Sequence, residues 1–177
     1  MKRKVELKDG REITIRPLTP EDNEKIYEMF AAMSEEALRW SMAPYTRERI
    51  ERWMSNIENL ILLGAEHDRS LIGYAQLHRE THPRRRGMAE LSVYLHQDYH
   101  GAGLGTAITQ TLLQEARAQG VHKVNLGTVD ENETAIRLFT KLGFEQEGRL
   151  RDCFYSDDNL YHDIIMMGLI LDEEPTA

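Results

Sequence analysis

The spacing of apolar residues changes along the chain, and each change marks an element. Residues 4–7 and 13–16 alternate apolar and polar positions around Asp9-Gly10, which predicts a β-hairpin. Thr19-Pro20-Glu21-Asp22 predicts a helix start, with Thr19 as N-cap and Pro20 at the first helical position. Its apolar face is Ile26, Met29, Phe30 and Met33. A second helical region is predicted over about 34–57, broken at Pro44, with Thr46 capping its second half and Ile50, Trp53 and Ile57 on one face. Strands follow at 60–65, 70–78 and 88–95, the last two joined by a turn, 82–87, with Arg84, Arg85 and Arg86 at a solvated tip.

Leu91, Val93 and Leu95 alternate with Glu90, Ser92 and Tyr94, the period of a strand with one buried face. Past a glycine-rich link, Leu104, Ile108, Leu112 and Ala116 recur at helical spacing, and Gly120 is the stop. A strand at 123–129 and a short helix capped by Asn132 come next, the helix carrying Ala135, Leu138, Phe139 and Leu142 on one face. Gly143 ends it, and strands at about 144–154 and 160–171 close around the turn 156–159. The order predicts a mixed α/β fold with helices on both faces of the sheet.

The link His100-Gly101-Ala102-Gly103-Leu104-Gly105-Thr106 lies between a strand and the first turn of a helix. Such a turn offers unpaired N–H groups and partial positive charge, and glycines let a diphosphate approach them. The dinucleotide fingerprint G-x-G-x-x-G needs glycine where Thr106 stands, and the P-loop needs a lysine that this segment lacks. Spacing alone leaves two readings, a phosphate loop or a plain glycine-rich turn.

At 177 residues the chain is most simply one domain, with a core over about 13–171. No apolar run reaches the ~20 residues that span a bilayer, and the first residues have no apolar signal-peptide core, so no membrane partner is expected. The lone Cys153 has no internal disulfide partner, which points to the cytosol; its strand position predicts a buried small hydrophobe. Net charge is −8, which disfavours nucleic acid and mildly favours a cationic substrate. His78/His82 and His96/His100 share a four-residue spacing, but neither pair falls in a helix with a completing carboxylate, so no metal is expected.

The loop resembles the pyrophosphate loop of the GNAT superfamily of coenzyme A-dependent N-acyltransferases, Arg/Gln-x-x-Gly-x-Gly/Ala followed by a helix; His100 stands at the Arg/Gln position. The run Asn132 to Glu145, with Ala135, Leu138, Phe139, Lys141, Gly143 and Phe144, resembles the second signature, N-x-x-A-x-x-L/F-Y/F-x-K-x-G-F. Residues 90–95, 137–138, 147–150 and 161–163 are similar to the phosphinothricin and methionine sulfoximine acetyltransferase group, and also to the ribosomal-protein and polyamine acetyltransferases.

The resemblance implies a mostly antiparallel sheet in which one parallel pair, ending near Leu95 and Val129, splays apart. It implies acetyl-CoA as cosubstrate, its pantetheine arm on the backbone of Val93, Tyr94 and Leu95 and on Asn132, and its diphosphate on His100, Gly101, Ala102, Gly103, Leu104, Gly105 and Thr106. The acetyl group would pass directly to a primary amine of a small molecule or amino acid. The alternatives are a protein N-terminus or lysine as acceptor, or a coenzyme A-binding module with weak catalysis. Glu90 matches the group's glutamate base, acting directly or through water, and Leu95 would offer its N–H to the oxyanion. Phe139 replaces a Tyr or His that protonates the thiolate in relatives, leaving Tyr155 or Tyr94 as donor and core packing as the role of Phe139. The resemblance is compatible with a homodimer.

Overall fold

The computed structural model describes residues 2–171; the acidic run at 172–174 lies outside the described residues. The chain opens with a hairpin, β1 (Arg3–Glu6) and β2 (Glu12–Pro17), turned at Gly10 with φ +85°. Thr19 and Pro20 open a 3-10 turn, Pro20–Asp22, that leads into α1 (Asn23–Ala31). The second helical region is two helices, α2 (Glu35–Leu38) and α3 (Arg47–Met54). Each is capped by a hydroxyl: Ser34 accepts from the Ala37 amide at 3.1 Å and Thr46 from that of Arg49 at 3.3 Å. Such caps satisfy amides that the first turn leaves open.

Then come β3 (Leu60–His67), β4 (Ser70–Arg79), β5 (Met88–Leu95), α4 (Leu104–Ala118), β6 (Lys123–Val129), α5 (Glu133–Lys141), β7 (Glu145–Tyr155) and β8 (Tyr161–Ile170). The strands form one sheet in the order β1-β2-β3-β4-β5-β6-β8-β7. Every neighbouring pair is antiparallel except β5 and β6. That parallel ladder runs only from Met88 opposite Lys123 to Glu90 opposite Asn125, and beyond it the strands part.

Apolar residues fill both faces. On one, Ile108 and Leu112 of α4 are fully buried against Leu63, Leu77, Val124 and Leu126. On the other, Ile26 and Phe30 of α1 and Ile50 of α3 pack on Leu62 and Tyr74. Truncating Ile108 to Ala would remove about 2–5 kcal/mol of stability.

Two sequence expectations are corrected here. Tyr94 does not face solvent: its ring lies 5.1 Å from Phe30 and 5.4 Å from Tyr45, because β5 is covered on both faces. Cys153 is exposed, since β7 is an edge strand whose register breaks between Leu150 and Phe154 and Asp152 there has φ +52°.

Candidate active site

A cleft of about 750 Å³ opens where β5 and β6 part. Its floor is Val93, Tyr94 and Leu95; one wall is the glycine loop and the other the start of α5. With the parallel ladder ended at Glu90, the β6-facing side of the β5 backbone beyond it has no strand partner. A chain of amides, as in pantetheine, can take that place.

The loop is shaped by left-handed backbone. Gly101 has φ +74° and Gly103, the N-cap of α4, has φ +91°, a region that residues with a Cβ adopt at a cost. The first helical bond of α4 runs from the Ala107 amide to the Gly103 carbonyl, 3.1 Å, so the amides of Leu104, Gly105 and Thr106 precede it and remain open. Gly105 serves packing instead: a Cβ there would meet Leu95 and Leu138 at 3.0 Å.

Of the residues expected around the cofactor, Val93, Tyr94, Leu95, His100, Gly101, Gly103, Leu104, Gly105, Thr106 and Asn132 all line the cleft. Ala102 does not; it is buried, and its carbonyl accepts from the Lys8 amide at 3.0 Å. His100 turns back on the strand, its Nε2 3.0 Å from the Leu95 carbonyl oxygen. A carbonyl only accepts, so Nε2 carries the hydrogen, and the ring braces the strand end against the loop. Gln97 braces it from the other side, accepting from the Ser34 amide at 3.1 Å and donating to the Ala32 carbonyl at 3.2 Å. Asn132 caps α5, its Oδ1 accepting from the Ala135 amide at 3.2 Å.

The catalytic candidates fall differently. Glu90 is exposed on β5, at the last paired position before the strands part, and is not part of the cleft lining. Tyr155 is exposed at the end of β7, its hydroxyl donating to Asn159 Oδ1 at 3.0 Å, and the structure does not bring it to the cleft. Tyr94 does line it, and burial pushes its hydroxyl above the ordinary phenol range, so it stays protonated at neutral pH. Phe139 packs on Phe144 with ring centroids 5.5 Å apart while also reaching the cleft.

Sequence reasoning missed Lys8. The hairpin turn carries it to the loop, where its alkyl chain lies about 3.5–3.7 Å from the space a Gly103 side chain would fill. Arg11 holds the same hairpin down, donating to the Asp98 carbonyl at 2.9 Å with its guanidinium 3.9 Å from the Tyr99 ring. Lys8 thereby brings an ammonium to the glycine-loop end of the cleft. Trp40 also lines the cleft, on the side away from the glycine loop, beside Phe154 and His162.

Comparison with known proteins agrees with this geometry. Residues 23–144 match the acetyltransferase (GNAT) family. The chain is 31% identical over 116 residues to the L-methionine sulfoximine/L-methionine sulfone acetyltransferase of Pseudomonas aeruginosa, covering 63% of this chain and 67% of that one. It is 27% identical over 174 residues to YdaF of Bacillus subtilis, provisionally designated a ribosomal N-acetyltransferase, covering 92% and 93% of the two chains. Among solved structures, yncA of Salmonella typhimurium with its cofactor acetyl-CoA superposes with a TM-score of 0.79 at 26% identity, covering 93% of this chain and 97% of that one. With an open helix start facing a cleft between parted parallel strands, and a match over most of its length, the chain belongs to the acetyltransferase (GNAT) family of enzymes.

Proposed function

We propose that the protein transfers the acetyl group of acetyl-CoA to a primary amine of a small molecule or amino acid by direct attack. The observation that carries this is the cleft: open amides of Leu104, Gly105 and Thr106 at one end, and unpaired β5 backbone along its floor. The diphosphate rests on those amides and Lys8, the pantetheine arm runs along Val93 to Leu95, and the Asn132 amide NH2 donates to it.

A primary amine with pKa near ~10 is about a thousandth neutral at pH 7, so proton removal speeds attack. Glu90 takes that proton through water, a role supported by its exposed carboxylate on the same strand face as Tyr94. The amine nitrogen then bonds the thioester carbon, the Leu95 N–H supports the oxyanion, and the C–S bond breaks. The thiol is acidic enough to depart without a strong acid, and the Tyr94 hydroxyl supplies a hydrogen bond to it. The lone, unbridged Cys153 supports action in the cytosol.

Incubation with acetyl-CoA and a panel of amines, amino acids and peptides, reading free thiol, tests the reading. Amine-dependent thiol release is the expected result. Coenzyme A binding without turnover of any acceptor would instead make the protein a binding module.

A further inference from the structure

Behind the cleft wall opposite the glycine loop, an imidazole is buried among polar atoms. His162 on β8 is 6% exposed and Ser156, at the β7–β8 turn, 4%. His162 Nε2 lies 3.0 Å from Ser156 Oγ and 3.3 Å from the Asp158 carboxylate, while Nδ1 lies 3.2 Å from Glu131 Oε1. Trp40 presents its ring edge-on at 5.1 Å. Glu131 and Trp40 line the cleft; His162 and Ser156 do not.

Glu131 sits on the turn between β6 and α5, one residue before Asn132. The backbone there is fixed: the Asp130 amide donates to the Asp163 carbonyl at 3.0 Å, and Arg149 reaches the Asp130 carboxylate at 2.8 Å. The Glu131 side chain is 57% exposed, so its pairing with His162 adds little stability, and what the contact sets is direction. A buried position beside Trp40 and Phe154 would hold an apolar side chain at less cost than an imidazole with both nitrogens engaged. On the same wall, Ser41 Oγ is buried without a hydrogen-bond partner among the described residues.

Charge divides the cleft. Lys8 stands at the glycine-loop end; on α5, Lys141 lines the cleft and Arg137 is paired with Glu133 at 2.8 Å. The end with Trp40 and Ser41 carries Glu131 and Glu36, while Arg39, 4.5 Å over the Trp40 ring, is engaged with Asp158 at 3.6 Å. An ammonium is welcome there, whereas an acceptor carrying its own carboxylate meets two like charges.

We propose that Glu131 receives the ammonium of the acceptor, that His162 is its positioning residue, and that the enzyme prefers amines lacking an α-carboxylate. This rests on the acetyltransferase reading and narrows its acceptor. The contact is one of capture: Glu131 draws the ammonium into the cleft beside Asn132. Before it reacts, the amine leaves Glu131 for the thioester and the water held by Glu90, which lies opposite Asn125 at the end of the parallel ladder.

The test uses matched pairs that differ only in the carboxylate: 3-(methylthio)propylamine with methionine, phenethylamine with phenylalanine, 1,5-diaminopentane with lysine. The wild type should show a higher kcat/KM for the amine of each pair. Glu131→Gln should raise KM for the amine about 10-fold or more, the size expected when a charge-assisted hydrogen bond is lost, with KM for acetyl-CoA unchanged. His162→Leu should shift KM for the amine the same way, and His162→Asn, whose amide can reach toward Glu131 as Nδ1 does, should restore most of it. Preference for the amino acids, an unaltered amine KM in Glu131→Gln, or equal loss for amine and acetyl-CoA in the His162 variants would overturn the proposal. So would coenzyme A binding with turnover of none of the six compounds. Failure to bind coenzyme A at all would remove the parent reading instead.

Discussion

At Gly103 the backbone has φ +91°, and the nearest atoms to a side chain there would be those of the Lys8 alkyl chain, 3.5–3.7 Å away. Gly103→Glu therefore does two separable things: it strains the turn by about 1 kcal/mol and sets a carboxylate against the diphosphate. Gly103→Asn, a residue that tolerates left-handed backbone, isolates the second effect. Calorimetry should find coenzyme A binding lost in the first variant and largely kept in the second. Lys8→Ala should weaken coenzyme A about 5-fold at low salt and less at high salt, as for an exposed ion pair, without lowering kcat at saturation. Glu90→Gln should cut turnover by about 100-fold or more and move the acidic limb of the pH–rate profile, with coenzyme A affinity intact. A normal rate and unmoved profile would take Glu90 out of the mechanism. The glycine loop was legible because left-handed backbone, as at Gly101 and Gly103, favours residues without a Cβ, which leaves a local signature. Lys8 was not, because it has no neighbour in sequence that announces the cleft; only the hairpin's contact with the loop places it there.

The elements themselves were legible wherever period and punctuation agreed, as at Thr46 before α3 or Gly120 after α4. Tyr94 escaped because alternation reveals one covered face and is blind to a second. The α1 side of the sheet also carries an ionic knot that no spacing reveals. Arg16 of β2 donates to Asp22 at 2.7 Å and to Glu66 of β3 at 2.7 Å, and Lys25 of α1 reaches Glu66 at 2.8 Å. The Arg16 guanidinium, with burial opposing it and Lys25 assisting, holds Glu66 at about 2 against an ordinary 4.5. A depressed carboxylate contributes its full stability above about pH 4.5 and loses it as the pH falls toward 2. Glu66→Gln should thus lower stability at pH 7 by about 1–3 kcal/mol and flatten the acid limb, the two proteins converging near the bottom of that window. Urea titrations at stepped pH would show whether the curves converge.

Across the whole molecule, coenzyme A at 100 times its Kd should add about 2.7 kcal/mol by mass action, read as a Tm several degrees higher. The gain should appear unevenly, with hydrogen exchange slowing most in β5 beyond Glu90 and in the first turn of α4. The three-residue parallel ladder gives this a mechanical meaning. Eight strands amount to two plates, β1 to β5 and β6 to β8, stitched edge to edge along a seam that stops short of its full length. In the proposed binding mode the cofactor's arm supplies the missing stitching. A chain of this kind should part first at the seam when pulled from its ends, and should resist longer while acetyl-CoA is threaded through it.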